Sequence, residues 1–144
     1  MSPAGMAAVH KAAFTRSRPW STREFADLLA GKGCFAVGDA RAFALARIVA
    51  DEAELLTIAT RPEHRRQGLA RALMANLHEI AAGQGAIRCF LDVAADNRAA
   101  IALYRSLGYD VTGRRAQYYR RADGTHTDAI AMTVRLPWRQ PENS

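Results

Sequence analysis

The chain has 144 residues, 49% hydrophobic and 24% charged, and 20 Lys and Arg against 14 Asp and Glu leave a formal net charge of +6. That balance excludes wholesale disorder and suits one domain with its own core. No apolar run approaches the roughly 20 residues of a membrane span. Lys11 and Lys32 are the only lysines, so arginine carries nearly all the positive charge, which points either to RNA or to a polyanionic small molecule.

Residues 3–14 read as a helix, with Pro3 at its start and Met6, Val9, Ala13 and Phe14 near helical spacing. This start lacks the basic residues, apolar stretch and cleavage site of a secretory signal, so a cytoplasmic protein is expected. Ser21-Thr22-Arg23-Glu24 is a capping box that opens a second helix running to Gly31. Cys34 to Val37 is a short strand, Gly38-Asp39 a turn, and residues 41–50 a strand in which Phe43, Leu45 and Arg47 alternate with alanines. Asp51-Glu52 is a second turn, and Glu54 to Thr60 a third strand. Residues 68–82 form a long helix with Leu69, Leu73, Leu77 and Ile80 on one face, ended by Gly83 and Gly85. A mostly apolar strand follows at 87–93, and Asn97 opens a helix that Gly108 stops. Residues 109–119 are a strand, 122–125 a hairpin turn and 127–135 the returning strand.

The order ααβββαβαββ is an α/β (α+β) arrangement: a mixed, mainly antiparallel sheet with helices on both faces. Residues 1–136 are expected to be a single domain, followed by a polar, frayed tail at 137–144. Cys34 and Cys89 stand far apart in apolar stretches and read as buried thiols. His10, His64, His78 and His126 have no metal-ligand spacing and read as surface or loop residues, so no metal is expected.

The richest stretch for chemistry runs from Leu56 to Arg71. A strand enters a basic loop, and the loop delivers Gly68 to the start of a helix. Free N–H groups at a helix N-terminus, with the helix dipole, favour a phosphate or pyrophosphate. Gly68 permits close backbone approach, small Ala70 keeps the first turn open, and Arg65, Arg66 and Arg71 supply charge. Neither the Gly-Lys-Ser/Thr of a nucleotide P-loop nor the spacing of a dinucleotide fingerprint is present.

Arg65-x-x-Gly68-x-Ala70 resembles the R/Q-x-x-G-x-G/A signature of the GNAT acetyltransferase superfamily. Residues Leu91 to Tyr109 (LDVAADNRAAIALYRSLGY) resemble that family's L-E-V…N-x-x-A-i-x-L-Y-x-x-x-G-F block. Within the superfamily the similarity, from Pro19 to Val134, is to the ribosomal-protein-alanine N-acetyltransferases; the family's usual opening strand has no counterpart ahead of the first helix. The resemblance implies transfer of an acetyl group from acetyl-CoA to the N-terminal alanine amine of a ribosomal protein, by direct attack in a ternary complex. Acetyl-CoA is then the cosubstrate, and a peptide or protein N-terminus is the partner.

By the same resemblance, Ile58, Ala59, Thr60, Arg65, Arg66, Gln67, Gly68, Leu69, Ala70 and Arg71 hold the cofactor, with Asn97 on the CoA arm. Tyr104 matches the family's general acid; without that motif the residue reads first as a packed aromatic beside Leu103 and Leu107. Asp92 matches the general base but is one methylene shorter than the family's glutamate, and Glu54 on the preceding strand is its rival. Tyr118 and Tyr119 stand where related enzymes grip the substrate peptide. Two other functions remain open at this level: acetylation of a small amine or antibiotic, and a non-catalytic RNA- or CoA-binding module. The sequence lacks the aromatic and basic interleaving of RNA-reading modules, so direct nucleic-acid binding is not expected.

Overall fold

The computed structural model describes residues 1–14 and 18–138. Its elements are α1 (Pro3–Ala13), α2 (Thr22–Ala30), β1 (Cys34–Asp39), β2 (Ala42–Val49), β3 (Glu52–Thr60), α3 (Leu69–Gly83), β4 (Arg88–Ala94), α4 (Arg98–Ser106), β5 (Asp110–Arg120) and β6 (His126–Arg135). A single 3-10 turn at Pro62–His64 leads from β3 toward α3. The predicted order therefore stands, and no strand precedes α1 among the described residues.

The six strands lie in the order β1-β2-β3-β4-β6-β5. Only β3 and β4 run parallel, as a crossover through α3 requires. The period-2 pattern of β2 explains both layers. Phe43 and Leu45 face one side and pack with Met6, Val9 and Phe25 of α1 and α2. Ala44 and Ala46 face the other, where their small side chains let α3 approach with Met74, Leu77 and Ala81. Phe25 and Phe43 meet edge to face at 5.5 Å, an arrangement aromatic rings favour.

The caps follow from local chemistry. Ser2 accepts from Gly5 N at 3.0 Å at the start of α1. In α2 the Ser21 hydroxyl accepts from Glu24 N, and the Glu24 carboxylate accepts from Ser21 N, both at 3.1 Å, which completes the expected box.

Several expectations are corrected. Gly38 and Asp39 belong to β1; the turn is Ala40-Arg41, closed by Asp39 accepting from Arg41 N at 2.9 Å. Glu52 belongs to β3 and not to the turn before it. The buried face of α3 is rotated from the leucine row, and centres on Met74, Leu77, His78 and Ala81. Cys89 is buried, but Cys34 is only half-buried. His10 and His78, expected at the surface, are 4% and 0% exposed. The His10 ring sits among Phe14, Trp20 and Phe25, and its Nδ1 accepts from Trp20 N at 3.1 Å. Trp138 packs against the core and donates its Nε1 proton to Leu107 O at 2.7 Å, so the chain is still docked at the start of the expected tail. Residues 139–144 lie outside the described residues.

Gly38 illustrates how tightly β1 and β2 are joined. Its φ is +120°, and a Cβ built there would meet Ala42 O at 2.2 Å and Phe43 Cα at 2.6 Å. Gly38→Ala is expected to destabilise the fold by about 2 kcal/mol or more, because backbone and not a flexible side chain would have to move. Thermal melting reads this directly, and an unchanged melting temperature would contradict it.

Candidate active site

The site begins with a break in the sheet. β3 and β4 pair only through Glu52↔Arg88, Ala53↔Cys89 and Glu54↔Phe90. Beyond Glu54, β3 continues to Thr60 and β4 to Ala94 without pairing to each other. The cause lies on the far side of β3. Its register with β2 shifts between Leu45↔Thr57 and Ala46↔Leu55, leaving Leu56 as an extra, bulged residue. A bulge bends and twists its strand, and here it turns β3 away from β4.

The result is a gap with a free strand edge. Arg61 N donates to Arg41 O at 2.9 Å, so Arg61, and by alternation Ala59 and Thr57, direct their backbone groups toward β2. Ile58 and Thr60 therefore direct theirs into the gap. Their side chains differ: Ile58 packs into the α3/α4 core, and Thr60 is half-buried.

The free edge leads through Arg65-Arg66-Gln67 to the N-terminus of α3. Gly68 is the N-cap in the left-handed region (φ +75°), and no side chain caps this end. Nothing lies within 4 Å of a Cβ built at Gly68, so the space in front of the helix is open. Arg66, two residues ahead, also has positive φ (+63°). The first turn of α3 thus presents unsatisfied N–H groups, with Leu69 and Ala70 half-buried beneath them.

The arginines divide their roles. Arg65 donates to Ala13 O at the end of α1 (3.1 Å), and Arg71 donates to the Ser106 hydroxyl of α4 (2.6 Å). The Ser106 hydroxyl in turn donates a hydrogen bond to Leu103 O at 2.6 Å. Arg65, Arg66 and Arg71 form no ion pair among the described residues, so their charge is uncompensated around the helix start. Ser106 has no motif of its own and was not legible as part of this framework.

The candidate groups Tyr104, Asp92 and Tyr119 come from α4, β4 and β5. Tyr104 of α4 is 4% exposed and lies in the cluster that holds Leu55 of β3 and Leu91 and Val93 of β4. Burial raises its phenol above the ordinary value, with further contributions from Cys89 and Tyr119, so it stays protonated. Its hydroxyl has no hydrogen-bond partner among the described residues and is not fully enclosed. Asp92 extends from the opposite face of β4, since Leu91 and Val93 fill the core. Tyr119 is half-buried on β5; burial, then the charge of Asp92, push its phenol up to about 12. The charge of Tyr119 in turn contributes to the shift at Tyr104.

Glu54 lies on the same sheet face as Asp92 but is engaged. Its carboxylate takes a 2.7 Å ion pair from Arg47 of β2, whose Nε is buried without a partner. Asp92 forms no ion pair among the described residues. Asn97 is the N-cap of α4, accepting from Ala100 N at 3.2 Å and leaving its amide N–H groups free.

Tyr118 is 51% exposed beneath the Arg115 guanidinium, and meets Tyr119 edge to face. Tyr118 lies within, and Tyr119 at the end of, a bulged stretch of β5 between Arg115 and Tyr119. The Asp128 carboxylate holds it by accepting from Gln117 N (2.9 Å) and Arg114 Nε (2.7 Å). An open groove of about 480 Å³ on the same sheet face, floored by Phe90, Ala131 and Thr133, lies toward the start of β4 and contains none of these groups.

A mixed sheet that opens between its parallel strands, with an uncapped helix start at the mouth, suits an extended ligand that ends in a phosphate. Residues 6–109 match the model of the acetyltransferase (GNAT) family. The chain belongs to that family and is an N-acetyltransferase. It is 39% identical over 132 residues to the [ribosomal protein bS18]-alanine N-acetyltransferase of Escherichia coli K12, covering 89% of this chain and 88% of that one. The crystal structure of the ribosomal-protein-S18-alanine N-acetyltransferase from E. coli superposes with a TM-score of 0.83 at 35% identity, over 99% of this chain and 92% of that one. Arabidopsis thaliana NAA60 in complex with acetyl-CoA shares the fold, with a TM-score of 0.79 at 18% identity over 94% and 96% of the two chains. No helix among the described residues is long and apolar enough to cross a membrane.

Proposed function

We propose that this protein transfers the acetyl group of acetyl-CoA to the α-amine of an N-terminal alanine on a ribosomal protein. The observation that carries this reading is the continuous path from the free edge of β3, through the gap, to the open N-terminus of α3. Pantetheine is an extended chain with amide groups, and it adds to that edge as a strand would, through Ile58 and Thr60. Its pyrophosphate meets the N–H groups of Gly68 to Arg71 and the charge of Arg65, Arg66 and Arg71. The acceptor follows from the 39% identity to an enzyme named for the alanine of bS18. In this reading a peptide lies on the sheet face beside Asp92, held by Tyr119 and by Tyr118, whose ring is 51% exposed.

The chemistry uses groups on both sides of the thioester. An α-amine, with a pKa of about 7.7–8.0, is partly protonated at neutral pH and must lose a proton. Asp92 takes that proton through a water, because its side chain is short and it is free of ion pairs. The amine attacks the thioester carbon, and N–H groups on the free edge of β3 stabilise the oxyanion. The C–S bond breaks and Tyr104 donates its proton to the leaving sulfur. No acyl-enzyme forms.

Incubation with acetyl-CoA and an alanine-starting peptide that also contains lysine tests the reading. The expected product gains one acetyl group, located on the α-amine by fragmentation. An unmodified α-amine would refute it. Ala70→Asp sets a carboxylate in the first turn of α3, where it competes with the phosphate. It is expected to weaken acetyl-CoA binding about tenfold or more while the melting temperature holds, as calorimetry can measure.

A further inference from the structure

Behind Tyr104 lies a buried polar group that the transfer chemistry does not use. His78 of α3 is fully buried, and its Nε2 is 2.6 Å from the hydroxyl of Tyr109, which is 2% exposed. The Cys89 thiol of β4 lies beside the same hydroxyl, and the His78 ring packs on Trp138 at 5.5 Å. A buried hydroxyl and imidazole gain little net stability over an apolar pair of the same shape, so their value lies in the geometry they impose.

That geometry ends on Tyr104. Gly108 (φ +94°) turns the chain at the end of α4, and Tyr109 N then donates to Tyr104 O at 3.0 Å. The two tyrosine rings also pack at 5.7 Å. The backbone and the ring of Tyr104 are therefore both tied to Tyr109, and the Tyr109 hydroxyl is tied to α3. The same helix carries the open N-terminus at its other end.

We propose that His78 and Tyr109 are positioning residues for Tyr104, their hydrogen bond fixing the last turn of α4 against α3 so that the Tyr104 phenol is held at the gap. This rests on the reading of Tyr104 as the proton donor to the leaving sulfur. The hydrogen bond does no proton transfer in the reaction. It sets the distance between the phenol and the sulfur, a quantity to which rates are steep: a misplacement of about 1 Å can cost 10²-fold.

The test uses Tyr109→Phe, the paired variant His78→Leu with Tyr109→Phe, and His78→Gln, each in the full chain. The paired variant keeps an apolar core of similar shape and guards against misfolding, and the Gln amide can reach the place of Nε2. Tyr109→Phe and the paired variant are expected to lower kcat about tenfold with KM for acetyl-CoA within about twofold, while His78→Gln stays near the unmodified rate. In a Tyr104→Phe background, adding Tyr109→Phe should change kcat no further, because the group being positioned is gone. A folded paired variant with the unmodified kcat would overturn the proposal, as would a full additional loss in the Tyr104→Phe background. If Tyr104→Phe itself leaves kcat unchanged, the reading of Tyr104 fails and the proposal falls with it; the single variant distinguishes the two failures.

Discussion

Tyr104→Phe is expected to lower kcat by roughly 10²-fold or more, with KM for acetyl-CoA nearly unchanged, because general acid catalysis typically contributes about 10²–10⁴. The substitution removes one oxygen and keeps the ring that packs against Tyr109, so folding and cofactor binding provide the control. Asp92→Asn should give a loss of similar order, since the amide cannot take the proton of the α-amine. Glu54→Gln should leave kcat within about threefold, because the carboxylate is already held by Arg47 in a part-buried pair. Steady-state kinetics on the three variants assign the base. A large loss in Glu54→Gln with little in Asp92→Asn would reverse the assignment.

Acid should destabilise the fold well before the carboxylates are protonated. Burial lowers both His10 and His78 from 6.5 to about 4; at His10 the charge of Glu24 opposes the shift and that of Arg18 adds to it. In the unfolded chain each histidine takes up a proton as the pH falls through 6.5; in the folded chain each stays neutral until about 4. The unfolded state therefore binds more protons across this window. The stabilisation is complete above 6.5 and is lost progressively toward 4. At 1.36 kcal/mol per pH unit, each histidine accounts for up to about 3 kcal/mol, a large share of the 5–15 kcal/mol typical of a domain. Protonated His10 would also lose its bond from Trp20 N. Melting temperatures between pH 7.5 and 4.5 should fall steeply below 6.5. In the paired His78→Leu, Tyr109→Phe variant the fall should be shallower. A flat profile from 7.5 to 4.5 would contradict this account.

The order of elements was legible because its signals are local: the Ser21 capping box, the Phe43–Leu45 alternation, and the glycines that end α3 and α4. The anion-binding helix start was legible for the same reason, since Gly68 and the arginines stand together in sequence. The features that shape the gap are not local. The Leu56 bulge follows from the register of β3 against β2, and the adjacent apolar pair Leu55-Leu56 does not announce it, since Ile58-Ala59 is another such pair in the same strand. His78 looks like the polar side of a helix until Tyr109 is brought against it from 31 residues away. Arg65 and Arg71 read as phosphate ligands from their spacing, but each also bonds a distant partner, Ala13 and Ser106, that no motif announces. Between Asp92 and Glu54 the sequence offers two carboxylates on neighbouring strands, and only the ion pair with Arg47 separates them.

The most direct test of this account is a crystal structure with CoA joined through its sulfur, by an acetyl link, to the α-amine of an alanine-starting peptide. The pantetheine should pair with Ile58 and Thr60, and the pyrophosphate should rest on the first N–H groups of α3. The sulfur should lie within hydrogen-bond reach of the Tyr104 hydroxyl, and the former amine should face Asp92 directly or through one water. A sulfur out of reach of Tyr104, or a nitrogen held by Glu54 after release from Arg47, would contradict it.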